Sequence, residues 1–173
     1  MNKPLYDFFE NDHRRIDGLL KKATQDIHHI DSEIYEQFRV GLLTHIKMEE
    51  KILFPAAIKE NGGKPLPEMK QLRLDHGALT TLVVPPPTSS LINVMKSLLR
   101  IHDEIEERSG GIYDVCEALT EENTDSILEE LSKVTPVPLH PHNEKDYVLE
   151  AAKRSVQRAG YDYDKLASGE IEN

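Results

Sequence analysis

Polar and apolar positions alternate along this chain with a helical period. Four stretches carry apolar residues at spacings of three and four, which predicts amphipathic helices. The first runs over 5–28, with Phe9, His13, Ile16, Leu20 and Ile27 on one stripe. The second starts near Ser32, read as its N-cap, and its stripe is Phe38, Leu42, His45, Glu49, Ile52 and Ala56 until Asn61-Gly62-Gly63 stops it. The third begins around Pro67 with Met69, Leu72, His76, Leu79 and Val83, and Pro85-Pro86-Pro87 ends it. Thr88, Ser89 or Ser90 caps the fourth, whose stripe is Leu91, Met95, Leu98, His102 and Glu106. That helix weakens at Ser109-Gly110-Gly111 and resumes through 112–119.

The connections are short, and short loops between long helices make antiparallel neighbours. The expected fold is all-α: an up-down-up-down antiparallel four-helix bundle over 1–119, with a C-terminal helical extension over 120–173 packed on it. In the extension, 126–133 reads as a short helix and 135–141 as proline-broken. A better helix follows over 144–158 and ends at Gly160, and 168–173 is expected to be loose.

All four stripes hold polar residues where a core needs apolar ones. They are His13 on the first helix, His45 and Glu49 on the second, His76 on the third, and His102 and Glu106 on the fourth. His-x-x-x-Glu puts imidazole and carboxylate one turn apart on one face. A single such pair is weak, and His140 with Glu144 is read as a coincidental one. Register discriminates better. His13 and His45 flank the first turn at similar distances, as do Glu49 and His76 about Gly62, and His76 and His102 about the Pro87–Ser90 turn. Offsets of up to about three residues amount to ~4–5 Å at 1.5 Å rise per residue, which long side chains span. Three turns thus bring six candidate ligands to one layer. A buried carboxylate without a cation is costly, so Glu49 and Glu106 on core stripes strengthen the metal reading.

Four imidazoles and two carboxylates do not suit calcium or magnesium, which take oxygen ligands, and a closed zinc site needs only four. The set suits two borderline ions, iron first, then manganese or zinc, sharing carboxylates and an oxo, hydroxo or water bridge. Phe8, Phe9, Phe38 and Phe54 are assigned to the core, and Glu50 and Glu107 to solvent. Tyr113, seven residues after Glu106, is read as packing, with a place near the metals as the alternative. His28 and His29 are placed at a helix end. His140 and His142 are read as a helix start, with a seventh ligand as the alternative.

The pattern resembles the hemerythrin-like, HHE cation-binding family. The matching pieces are Asp12-His13-Arg14, the run from His45 through Glu49-Glu50 to Leu53-Phe54-Pro55, Asp75-His76, and His102 with Glu106-Glu107. The resemblance covers roughly 5–119. It implies His13, His45, Glu49, His76, His102 and Glu106 as ligands of two irons, with Glu49 and Glu106 bridging. The oxygen-carrying members would have a further His where Leu72 stands, and an Asp five residues after the fourth helix's His in place of Glu106. Fewer nitrogen ligands turn the expectation from reversible carriage toward binding or sensing oxygen, nitric oxide or peroxide. A redox enzyme on the same site, peroxidase- or catalase-like or of an iron-sulfur repair type, is the alternative. A metal-free helical interaction module is the third reading.

Charge and composition remove other classes. A net charge of −10 repels nucleic acid and anionic lipid. No apolar run reaches the roughly 20 residues that span a bilayer, and the acidic N-terminal stretch lacks the apolar segment of a signal peptide. Cys116 stands alone. The expected compartment is the cytoplasm. Oligomeric state and catalysis are left open by these patterns.

Overall fold

A computed structural model describes residues 2–169, and among these there are helices and connections but no strand. The expected loose end therefore falls largely outside the described residues. The helices are α1 (Pro4–Ala23), α2 (Ser32–Met48), α3 (Phe54–Glu60), α4 (Met69–Leu82), α5 (Ser89–Glu107), α6 (Ile112–Leu119), α7 (Thr124–Ser132), α8 (Asp146–Arg158) and α9 (Tyr163–Ser168).

The first helix is shorter than its stripe suggests. The Thr24 hydroxyl donates to the Leu20 carbonyl at 2.8 Å, and the amide of Asp31 returns to the Ala23 carbonyl at 2.9 Å. A side chain that satisfies the last turn lets the chain leave the helix there. Ser32 is not the cap of α2. Asp31 is, its carboxylate accepting from the Ile34 amide at 3.0 Å. Thr88 caps α5 in the same way, accepting from the Leu91 amide at 3.2 Å.

Helices α2 and α3 are joined through one π-helical turn, Glu49–Leu53, in which the Phe54 amide donates to the Glu49 carbonyl five residues back. Pro55 explains its place. Proline offers no amide and its ring crowds the carbonyl four residues earlier, so the ladder adapts by taking in one extra residue. The insertion moves the inward stripe by one position. Ala57 is fully buried while Ala56, the expected core residue, is partly exposed.

Cross-helix contacts run in opposite senses. Ala23 meets Asp31 and Asp12 meets His45 between α1 and α2. Glu68 meets Arg108 and Asp75 meets His102 between the start of α4 and α5. Between α1 and α5, Tyr6 bonds the Glu107 carbonyl and His13 stands 3.9 Å from Asp103. The core forms two separate apolar clusters. One gathers Ile16, Leu20, Phe38, Leu42, Leu79, Leu98 and Leu99 with Ala152, Val156 and Leu166. The other gathers Leu5, Phe9, Leu53, Phe54, Met69, Leu72, Tyr113 and Cys116. Phe8, expected in the core, is only packed against its edge.

Beyond the bundle helices, α6 packs across α1 and α5, α8 lies on α4, and α9 lies on α5. The segment between α7 and α8 runs along α2. Lys47 reaches the Thr135 carbonyl, the Val137 amide donates to Thr44, and Arg39 reaches the His140 carbonyl. No periodicity marks α9 in the sequence; Asp162 caps it through the Asp164 and Lys165 amides. No helix among the described residues is long and apolar enough to cross a membrane.

Candidate metal centre

The layer between the two apolar clusters is polar. His13, His45, Glu49, His76, His102 and Glu106 all lie there, each no more than 5% exposed. Their donor atoms form two overlapping groups, each with all atoms within 4.8 Å of one another. One is His13, His45, Glu49 and Glu106; the other is Glu49, His76, His102 and Glu106. Glu49 and Glu106 belong to both. Nε2 of His45 is 3.5 Å from Oε1 of Glu49, and Nε2 of His76 is 3.0 Å from its Oε2. Oε2 of Glu106 lies 3.4 Å from Nε2 of His13 and 3.3 Å from Nε2 of His102.

All four rings turn Nε2 inward because Nδ1 is held from behind. The partners are Glu107 for His13 (2.7 Å), Asp12 for His45 (2.9 Å), Glu50 for His76 (2.8 Å) and Asp75 for His102 (3.5 Å). A carboxylate only accepts, so each Nδ1 is the donor, and the inner nitrogen faces the layer. Glu50 and Glu107 were expected to face solvent; they instead orient imidazoles. The signal for them was position: each directly follows a buried Glu, as Asp12 and Asp75 directly precede a buried His.

Electrostatics show a site short of positive charge. Burial works against a protonated His45, but Glu49 and Asp12 outweigh it and raise the ring to about 9. His76 is raised to about 9 against the same burial, by Glu49 and Glu50. Burial lowers His102 to about 4 despite Asp75. Glu49 is held well below the ordinary carboxylate range, its burial outweighed by His45 and His76. Glu106 is pushed well above that range by burial and by Glu49.

Oε2 of Glu49, Oε1 of Glu106 and Nε2 of His76 have no hydrogen-bond partner although all are buried. His76 and Glu49 approach closely without the alignment that a hydrogen bond requires. Buried orphan donors and acceptors are costly, and a cation shared between imidazole nitrogens and carboxylate oxygens satisfies them together. The donor set therefore fits metal ions.

For Tyr113 the second reading of the sequence, a place near the metals, describes its hydroxyl better than packing alone. Its ring does stack on Phe9 at 5.3 Å, but its hydroxyl stands inside the first group. The oxygen is 3.1 Å from Nε2 of His13 and 3.3 Å from Nε2 of His45, and it lies 2.6 Å from Oε1 of Glu49 and 3.0 Å from Oε2 of Glu106. Its spacing of seven from Glu106, two helical turns, was the available hint; the break at 108–111 obscured it.

His142 does not reach the layer. It pairs with Glu36 at 3.0 Å and stacks on Tyr35, near the start of α2. His140 contributes its carbonyl to Arg39. His29 pairs with Asp26 in the exposed turn after α1.

On the side of Ile16, Leu42, Ile46 and Leu79 a cavity of about 10 Å³ adjoins His13, His45 and His102. A surface cleft of about 560 Å³ opens between α1 and α5. Asp17, Leu99 and Asp103 line both.

This is a helical protein with a buried His/Glu centre able to hold metal. Residues 5–83 match the family model of the hemerythrin HHE cation binding domain, so that stretch is similar to this family. The matched span holds His13, His45, Glu49 and His76, whereas His102, Glu106 and Tyr113 join the centre from beyond it. No curated protein and no solved structure matches the chain.

Proposed function

We propose that this protein is a non-haem di-iron protein that binds or senses a small oxidant: oxygen, nitric oxide or peroxide. The observation that supports it best is the pair of four-residue groups sharing Glu49 and Glu106. His13 and His45 would hold one ion, His76 and His102 the other, and the two glutamates would bridge. Nitrogen-rich ligation favours iron, with manganese or zinc as the other borderline candidates and an oxo or hydroxo bridge completing the pair. When bound, two adjacent irons supply a redox-active centre for a diatomic or peroxide.

The chain's own residues do the rest. Glu107, Asp12, Glu50 and Asp75 set the ring planes and keep each Nε2 turned inward. The two apolar clusters exclude bulk water from above and below. The small cavity beside His13, His45 and His102 has room for about one water-sized molecule, which restricts what can sit there to a small ligand.

A redox enzyme on the same centre is the second reading, favoured by one observation. Asp103 lines the cavity with an Oδ1 that has no hydrogen-bond partner and stands 3.9 Å from Nε2 of His13, and burial holds its carboxyl up at about 6, so an acid able to hand over a proton stands beside the ligand space.

Anaerobic loading with ferrous iron, followed by a metal count and optical spectra, tests the main reading. About two irons per chain with near-ultraviolet charge-transfer bands after oxidation are expected. Colourless, iron-free protein would remove it. Stopped-flow mixing with peroxide or nitric oxide separates turnover from simple binding.

A further inference from the structure

We propose that Tyr113 is an additional oxygen donor of the centre and binds, through its phenolic oxygen, the cation held between His13 and His45. The inference rests on the di-iron reading above and deepens it. The hydroxyl lies within 3.3 Å of a donor atom from each of His13, His45, Glu49 and Glu106. Those are the four members of one group and do not include His76 or His102.

A hydroxyl carries one hydrogen and can satisfy one acceptor at a time. Its oxygen can accept about two further hydrogen bonds, so the four polar atoms around it still outnumber by one what hydrogen bonding can pair. A cation among them satisfies all five. Binding exchanges a proton for the metal: the O–H bond breaks, its electron pair forms the oxygen–metal bond, and the proton leaves to solvent. No electron is transferred and the iron is supplied from outside.

The ring is fixed in this position. Phe9 stacks on it, and Tyr6 meets it edge-on at 6.1 Å. Helix α6, which carries it, follows its N-cap Gly111, packed tightly on the end of α5. A Cβ at that position would lie 2.7–2.8 Å from the carbonyl oxygens of Glu106, Arg108 and Ile105. Tyr113 comes from the Phe9 side of the layer, and the small cavity lies on the Ile16 side. The two ions are thereby inequivalent, one carrying a phenolic oxygen and the other not.

The test uses the full chain, loaded anaerobically with ferrous iron and then oxidised in air. Expected is a visible phenolate-to-iron charge-transfer band, with tyrosine ring modes enhanced in resonance Raman on excitation into it. Tyr113→Phe should lose both and keep about two irons per chain; Tyr6→Phe should keep both. Two irons with near-ultraviolet bands alone, or a visible band unchanged in Tyr113→Phe, overturns this inference and leaves the di-iron reading standing. Protein that takes up no iron overturns both. Should Tyr113→Phe fail to fold or to load, wild-type protein grown on ring-deuterated tyrosine decides. Shifted enhanced modes support tyrosine ligation, and their absence overturns it.

Discussion

Oδ2 of Asp12 lies 2.9 Å from Nδ1 of His45, although the imidazole next to Asp12 in the chain is His13. His13 in turn is held by Glu107, the neighbour of Glu106, and His76 by Glu50, the neighbour of Glu49. Each sequence neighbour of a central residue thus serves a histidine on another helix, and the supporting carboxylates lace the helices together around the layer.

Asp12→Ala should leave the fold intact and free the His45 ring to turn. Removing such a partner typically weakens metal binding roughly 10–100-fold. Competition against a chromophoric chelator, with circular dichroism as the check on folding, reads this directly. The same change at Asp75, which stands at 3.5 Å from His102, is expected to weaken binding less. Wild-type affinity in Asp12→Ala would show that packing alone orients the ring.

Stability of the metal-free chain should depend on pH with opposite slopes on two sides of neutrality. His45 and His76, raised to about 9, contribute stability that is fully present below the unfolded value near 6.5 and is lost as pH rises through about 9. His102, lowered to about 4, contributes stability present above the unfolded value and lost as pH falls toward 4. Metal binding needs neutral imidazoles, so affinity should rise over the alkaline range in which the apo chain weakens. Thermal unfolding of both forms from pH 5 to pH 9.5 tests this; parallel profiles for apo and loaded protein would contradict it.

Leu99→Trp should slow ligand association without unloading the centre. Leu99 lines both the surface cleft and the inner cavity, and an indole there fills the neck between them. The measurement is stopped-flow association of azide with the oxidised, iron-loaded protein. A rate lowered at least several-fold, with the same iron count, is expected. An unchanged rate would place the route elsewhere.

Gly111→Ala should destabilise the protein by roughly 1–3 kcal/mol, as overpacking does. The cause is close approach rather than backbone conformation, since Gly111 has φ −69° and the added carbon meets three carbonyl oxygens. The displacement falls on α6 and hence on Tyr113. A lowered midpoint in denaturant, together with a weakened visible band in the loaded protein, is the expected pair of results.

Much of this was legible in the chain. The stripes of α4 and α5 match the buried faces, as does that of α1 as far as Leu20, Ile27 lying past the helix end, and the six central residues share one layer because turn lengths fixed their heights. What escaped has physical causes. Periodicity assumes an unbroken helix, so the extra residue taken in before Pro55 moved burial from Ala56 to Ala57. Spacing says which residues share a face but not which helix lies across from them, so Glu50 and Glu107 read as solvent-facing. Tyr113 beside the metals was the second reading rather than the first because α6 changes direction at Gly110-Gly111, where a seven-residue spacing no longer implies the same face. Helix α9 owes its place to an Asp162 cap and to Leu166 in the core, signals too short to register as a pattern.

The polar layer also divides the molecule mechanically. Apolar contacts make each cluster cooperative within itself, but between the clusters lie charges and unpartnered atoms in place of close-packed hydrocarbon. An ion bound there would clamp four helices at mid-height and join the two halves into one unfolding unit. Stripped of it, the chain should melt over a broader range, with amide exchange in one half running ahead of the other.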